Sequence, residues 1–139
     1  MNARPKAKRL EYAAGVDRAG RVSAGEGEPI ALGKEWNPET LVLAGLALCS
    51  IASLRYHARR ASLDLVAGAA AEGVVTRREE DGRYAFVRVE CRLDVELDPP
   101  PEPDALQTLL AKAERDCFVS ASLTVAPHYA WRVNGADVR

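Results

Sequence analysis

The sequence predicts an α+β fold in which antiparallel sheets pack around one long, buried central helix. Strand segments with hairpin signals occupy the first third and the middle of the chain, and a long apolar helix separates them. Two shorter helices and a last strand follow. No strand–helix–strand unit is repeated, which disfavours a doubly wound parallel sheet. The 139 residues are close to the usual size of one domain, so we expect a single domain over residues 1–139.

The first third predicts short strands behind a flexible tail at residues 1–8. Strands are expected at Arg9–Val16 and Arg21–Ser23, with a turn at Asp17–Gly20 between them. A further turn rich in glycine precedes a third strand at Pro29–Leu32. This part of the chain therefore predicts a hairpin followed by one more extended segment.

A long helix is predicted from about Pro38 to Arg60. Asn37 is a suitable N-cap, Pro38 suits the first helical position, and Glu39 favours the positive N-terminal end. Apolar residues lie nearly all the way round this helix, whereas one small sheet can cover only one side. We therefore expect a homodimer in which two such helices pack together.

The middle of the chain predicts a hairpin of two long strands, Leu63–Thr76 and Tyr84–Leu97, with Asp81–Gly82 as the turn signal. In the second strand the apolar residues are mostly odd-numbered, which indicates one buried face. Pro99–Pro103 then interrupts the chain.

The last third predicts an amphipathic helix at Asp104–Asp116, a short helix that begins at Cys117, and a strand at Thr124–Val133. The leucines of the first of these helices fall on one face. These elements complete the predicted order β-β-β-α-β-β-α-α-β.

Composition predicts a cytoplasmic protein. A net charge of −1 gives no case for binding nucleic acid or a membrane surface. Residues 1–12 lack the apolar core of a secretory signal, and the apolar run Leu41–Leu54 is shorter than the roughly 20 residues that a membrane span needs. Three cysteines, an odd number, favour a reducing compartment with free thiols.

The cysteines are the candidate reactive residues. Cys49 lies within the long helix and Cys117 begins a short one, where backbone N–H groups favour a thiolate. Either could instead be a buried apolar residue, and Cys91 is expected in the core beside Val89. The two histidines, His57 and His128, lie on separate elements, so no metal site is predicted; His57 is expected to decorate the basic end of the long helix.

Three segments together resemble the OsmC/Ohr family, whose members reduce organic hydroperoxides through a cysteine pair. The segment Asn37–Pro38–Glu39, followed ten residues later by Cys49, is similar to the first motif of that family. Residues 113–123, which contain Cys117, are similar to the second, and residues 17–23 to its early hairpin with an arginine. The resemblance extends from about residue 9 to 134, with Phe118 where the hydroperoxide reductases usually have proline.

The resemblance implies a role for each of four residues. Cys49 would be the peroxidatic thiolate and Cys117 the resolving thiol, with no bound cofactor and an external dithiol, such as a lipoyl group, or a small thiol as reductant. Arg18 would stabilise the thiolate, although Arg21 could serve instead, and Glu39 would orient that arginine. Members of the family are intertwined homodimers with sites at the subunit interface.

Helix geometry adds a reason to expect a site shared between chains. Glu39 and Cys49 lie ten residues apart, or about 15 Å along a straight helix. One chain alone therefore cannot easily bring Arg18, Glu39 and Cys49 together: either the helix breaks, or the partner chain supplies some of these groups. Two other functions remain open from the sequence: a protein that binds a small hydrophobic ligand, and a thiol redox sensor without peroxidase turnover.

Overall fold

The computed structural model describes residues 7–139, so most of the tail predicted at residues 1–8 lies outside the described residues. The chain forms two compact units, one that ends at Asn37 and one that spans Pro38–Arg139. The expectation of a single domain stays a prediction.

The first unit contains a small antiparallel hairpin of β1 (Ala14–Val16) and β2 (Val22–Ala24). The Asp17 carboxylate accepts hydrogen bonds of 2.9 Å from the backbone N–H groups of Ala19 and Arg21, which closes the predicted turn. Both strands are shorter than or shifted from the predicted ones.

The third strand expected in this unit, Pro29–Leu32, is reduced to one isolated antiparallel bridge between Ile30 and Val22. Two backbone hydrogen bonds of 2.8 and 2.9 Å join these two residues. The segment after the hairpin therefore returns to β2 at a single point.

Helix α1 (Pro38–Arg60) has the predicted bounds and opens the second unit. Its buried residues form one stripe, Leu46, Ser50, Ser53, Leu54 and Ala58. On another side Leu48 is 70% exposed, so a single chain does not bury this helix all round. The helix is long and apolar enough to cross a membrane by length and composition, a test that core helices also pass.

The second unit contains a four-stranded sheet. Its strands are β3 (Asp64–Arg77), β4 (Tyr84–Asp98), β5 (His128–Val133) and β6 (Ala136–Asp137), in that spatial order. The long β3–β4 hairpin is antiparallel, as predicted, but β5 runs parallel to β4. The sheet is therefore mixed, because the chain crosses over between β4 and β5 instead of turning back directly.

The crossover contains α2 (Pro103–Arg115) and α3 (Phe118–Ser122). Helix α1 packs along β3 and against α2. The core lies between these helices and one face of the sheet, where alternate residues of β4 are buried: Val89, Cys91, Leu93, Val95 and Leu97. This packing brings the middle of α1 close to the α2–α3 corner.

Candidate functional site

Two cysteines from distant parts of the sequence meet where α1 passes the α2–α3 corner. The Cys117 thiol is a hydrogen-bonding neighbour of the Cys49 thiol, and the backbone N–H groups of Val119 and Phe118 also bond to the Cys49 sulfur. Both cysteines are free thiols. Cys49 is partly exposed and Cys117 is fully buried. Two adjacent thiols of this kind can be oxidised to a disulfide.

The corner is fixed to α1 by two further hydrogen bonds. The Ser53 hydroxyl donates to the carbonyl of Ala113 at 2.8 Å, and His57 Nε2 lies 2.7 Å from Asp116 Oδ2. Asp116 is the C-cap of α2, and Cys117 follows directly as the N-cap of α3. Both hydrogen bonds hold α2 against α1, and the one at Asp116 lies directly before Cys117 in the chain.

Burial raises the pKa of the Cys49 thiol above its ordinary value, and this is the largest effect on it. The neighbouring Cys117 thiol raises the pKa further, whereas the N–H groups of Val119 and Phe118 lower it. Within the second unit, the surroundings of Cys49 thus favour the neutral thiol over the thiolate. Activation as a nucleophile requires a further positive charge.

A hydroxyl lies at the centre of the buried side of the site. Ser50 Oγ is 3.8 Å from Cys117 Sγ, 3.9 Å from Cys91 Sγ and 3.1 Å from the Tyr129 hydroxyl oxygen. Ser50 itself is only 1% exposed. Sequence reasoning missed Ser50 and Tyr129, because a serine in an apolar helix and a tyrosine in a strand are common in cores.

Tyr129 is held in place from its other side. Its ring stacks on that of Trp131, with 6.0 Å between centroids and 15° between planes. Trp131 Nε1 donates to Glu114 Oε2 at 3.2 Å, so a residue of the second sequence motif supports this stack. Burial raises the pKa of Tyr129 to about 12, which keeps the phenol neutral at physiological pH.

His57 does not merely decorate the basic end of α1, as the sequence suggested. Its ring is mostly buried and bonded to Asp116, while Tyr56 packs edge-on against it with 5.1 Å between centroids. The correction follows from the helical period, because His57 lies one turn beyond Ser53 on the side of α1 that faces α2.

The structure brings together Cys49 and Cys117 but not all four predicted site residues. Glu39 and Cys49 lie on the same unbroken helix α1, so they stay about 15 Å apart within one chain. Arg18 belongs to the first unit, in the turn after β1. The roles of Arg18 and Glu39 stay predictions.

The alternative to Arg18 is already engaged. Arg21 Nε donates to Asp17 Oδ2 at 2.8 Å, and the Arg21 backbone N–H bonds to the same carboxylate. Arg21 thus takes part in closing the hairpin turn.

Comparison with protein families gives a match to the OsmC-like protein family over residues 31–131. The matched part includes α1, both long strands and the segment around Cys117. Comparison with curated proteins gives no match.

Solved structures share the fold at low sequence identity. An organic hydroperoxide resistance protein from Elizabethkingia anophelis, with thiocyanate bound, is 19% identical with a TM-score of 0.67, over 91% of this chain and 99% of that one. An OsmC-like protein of unknown function from Vibrio cholerae is 14% identical with a TM-score of 0.74, over 88% and 99%. The organic hydroperoxide resistance protein OhrB of Bacillus subtilis is 20% identical with a TM-score of 0.57, over 89% and 96%.

Proposed function

This chain belongs to the OsmC-like protein family, and we propose that it is a cysteine-based peroxidase that reduces organic hydroperoxides to alcohols. The observation that carries the proposal is the contact between the thiols of Cys49 and Cys117. These residues come from elements 68 positions apart, and their meeting requires the whole helical layer to assemble. The names of several structural neighbours support the same chemistry.

The proposed reaction starts at the more accessible thiol. The Cys49 thiolate attacks the distal peroxide oxygen, the O–O bond breaks, and the departing alkoxide takes a proton to become an alcohol. Cys49 is left as a sulfenic acid. Cys117 then attacks the Cys49 sulfur, which gives a disulfide and releases water.

The cycle is completed by an external reductant. Two electrons from a dithiol, such as a lipoyl group, or from two small thiols reduce the disulfide by thiol–disulfide exchange. No bound cofactor is needed for any of these steps.

The surroundings of the thiols support an apolar substrate. Leu48, beside Cys49, is largely exposed, and Phe118, beside Cys117, is 60% exposed. Apolar side chains at the surface next to a reactive thiol favour peroxides with an organic substituent over hydrogen peroxide, because their burial releases water.

The remaining parts of the proposal concern the assembly. We propose a cytoplasmic homodimer in which Arg18 stabilises the Cys49 thiolate and Glu39 of the partner chain orients that arginine. The exposed apolar side of α1 supports a second copy as the partner, since it would otherwise face water. An arginine near Cys49 would offset the rise in thiol pKa that burial causes.

Intact-mass analysis after one equivalent of cumene hydroperoxide tests the proposed function. We expect the native protein to lose two hydrogens through a Cys49–Cys117 disulfide, located by peptide mapping. Cys117→Ser should instead gain oxygen at Cys49, and Cys49→Ser should remain unmodified. The Cys91→Ser variant is the matched control, because it removes a thiol without removing either partner of the pair.

A native protein that keeps Cys49 as a thiol under these conditions would refute peroxidase activity. Equilibrium binding of an apolar compound without turnover would then favour a ligand-binding protein. Oxidation with slow, substoichiometric turnover and a change of conformation would favour a redox sensor.

A further inference from the structure

The Ser50 hydroxyl joins the resolving thiol to the partly buried phenol of Tyr129. Its oxygen lies 3.8 Å from Cys117 Sγ and 3.1 Å from the Tyr129 hydroxyl. A third contact, at 3.9 Å, comes from the Cys91 thiol, which donates to Ser50. These four groups form a polar network at the edge of the apolar core, in which Ser50, Cys91 and Cys117 are buried and Tyr129 is partly buried.

The donors and acceptors of this network allow two arrangements, which differ in the direction of hydrogen-bond donation through Ser50. A serine hydroxyl has one hydrogen to donate and two lone pairs. While Cys117 is a thiol, its S–H can donate to Ser50, and Ser50 can then donate to Tyr129. When Cys117 has lost its proton, Tyr129 can donate to Ser50, and Ser50 can then donate to the sulfur.

In the second arrangement, two hydrogen-bond donors point at the Cys117 sulfur. Besides Ser50, the backbone N–H of Ser120 donates to this sulfur at 3.5 Å. The phenol supplies the hydrogen that the chain of bonds needs, because burial raises the pKa of Tyr129 to about 12 and keeps it protonated. Hydrogen bonds to an ionised acceptor are stronger than those to a neutral one.

We infer that Ser50 and Tyr129 are positioning residues for the resolving step, and that they hold Cys117 ready to attack Cys49. The inference rests on the proposed function for its physiological setting. In the step, an electron pair of the Cys117 thiolate forms the bond to the Cys49 sulfur as the S–O bond of the sulfenic acid breaks. The departing hydroxide takes up the proton that Cys117 released and becomes water.

The chain offers a matched control for this inference. Ser53 lies on the same buried stripe of α1, but its hydroxyl donates to the Ala113 carbonyl and not to a thiol. Ser53→Ala therefore removes a buried hydroxyl of the same kind from the same helix. A purely structural role of Ser50 would make Ser50→Ala and Ser53→Ala behave alike.

The experiment has two arms that report the attack by Cys117 separately from peroxide chemistry. In the first, a single turnover with cumene hydroperoxide is followed by acid quench and mass analysis, which resolves sulfenic acid from disulfide. In the second, one equivalent of an aromatic disulfide, 5,5′-dithiobis(2-nitrobenzoate), forms a mixed disulfide at Cys49. The attack by Cys117 then releases the second aromatic thiolate, which absorbance records.

For Ser50→Ala and Tyr129→Phe we expect the attack by Cys117 to slow about tenfold or more in both arms, as for loss of a hydrogen bond to a charged group. The first oxidation of Cys49 should keep its native rate, and excess peroxide should yield more Cys49 sulfinic acid. Ser53→Ala should resolve at the native rate.

Native resolution rates in both Ser50→Ala and Tyr129→Phe would overturn the inference, and so would equal slowing in Ser53→Ala. A third outcome separates the two proposals. If the native chain does not react with peroxide, but Ser50→Ala and Tyr129→Phe slow the release of the second aromatic thiolate, the inference stands and the proposed function is wrong. If the native chain forms no Cys49–Cys117 disulfide in either arm, both are wrong.

Discussion

His57 Nε2 lies 2.7 Å from Asp116 Oδ2, and this contact joins the last turn of α1 to the residue that precedes Cys117. The imidazole is mostly buried, whereas the carboxylate is partly exposed and also bonds to Arg115. The contact therefore links the stability of the helical layer to the position of the resolving thiol.

We expect His57→Ala to lower the free energy of unfolding by about 1–2 kcal/mol, since it removes a hydrogen bond and part of the packing. A double-mutant cycle with Asp116→Ala should give a coupling energy of about 1 kcal/mol at neutral pH. Arg115→Ala, which removes the exposed partner of the same carboxylate, should change the stability by less than about 0.5 kcal/mol. Urea denaturation measures all three, and a coupling energy near zero would contradict the prediction.

The pH dependence of this coupling follows from the carboxylate. Arg115 first, and then His57, hold the pKa of Asp116 below its ordinary value of 3.8. A lowered pKa in the folded state gives stability that is present above the unfolded value and is lost as the pH falls through the folded value. The coupling should therefore persist at pH 5 and be lost progressively as the pH falls below 3.8.

We expect the folded protein to lose stability in alkali because of the Tyr129 phenol. Burial raises the pKa of its phenol from 10.0 to about 12, so the neutral form stabilises the fold. That contribution is complete below pH 10 and is lost as the pH rises toward 12. Between pH 8 and 11, native protein should lose about 1 kcal/mol more stability than Tyr129→Phe does. Urea denaturation of both proteins at each pH measures the difference, and equal losses would show that the phenol titrates normally.

The sequence predicted the secondary structure well where one physical signal dominated. The bounds of α1 follow from Pro38 at its start and from a continuous apolar run, and the alternation from Val89 to Leu97 identified the buried face of β4. It did not predict that β5 runs parallel to β4, because strand pairing depends on how the crossover packs. The two-residue strand β6 is too short to leave a pattern.

The candidate site divides in the same way. Cys49 and Cys117 could be named from the motifs, and the structure brings them together. Ser50 and Tyr129 could not, because only the packing of α1 on β5 and α3 reveals that their hydroxyl groups meet beside a thiol. A serine preceded by nine apolar or small residues gives no sign of its partner.

Arg18 can be tested through the acidity of Cys49. Since burial raises the pKa of this thiol, an arginine at the site should lower it again, and Arg18→Met should raise the apparent pKa and slow alkylation at neutral pH. Arg21→Met is the matched control, because Arg21 is bound to Asp17 in the same turn. The rate of iodoacetamide alkylation of Cys49, followed by peptide mass between pH 6 and 10, measures the shift. A larger effect of Arg21→Met would reverse the assignment.

Cys117 should affect the pKa of Cys49 in the opposite direction to Arg18. Its thiol raises the pKa of Cys49, both as a hydrogen-bonding neighbour and through its charge when ionised. The Cys117→Ala variant should therefore show a lower apparent pKa for Cys49 and faster alkylation at neutral pH. Cys91→Ala should leave the alkylation profile of Cys49 unchanged. The same alkylation assay applies, and an upward shift of the Cys49 pKa in Cys117→Ala would contradict the effect that we assign to the contact between the two thiols.

A site shared between two chains predicts complementation of inactive variants. Glu39 and Cys49 lie about 15 Å apart on one helix, so Glu39 can assist Cys49 only from a partner chain. As separate proteins, we expect Cys49→Ser to be nearly inactive and Glu39→Ala to have reduced activity. A heterodimer of the two contains one site with both Cys49 and Glu39, so equal mixing after unfolding and refolding should restore about a quarter of the native peroxidase rate.

The control for complementation is a mixture of Cys49→Ser with Cys49→Ala, which contains no intact site and should stay inactive. Replacement of the exposed Leu48 by Glu in both chains should also abolish the recovery, because it places a charge on the apolar side of α1 that we expect to pack against the partner. Light scattering of that variant should show a monomer. Full activity of monomeric Leu48→Glu would mean that each chain builds its site alone, and Glu39 would then have no part in activating Cys49.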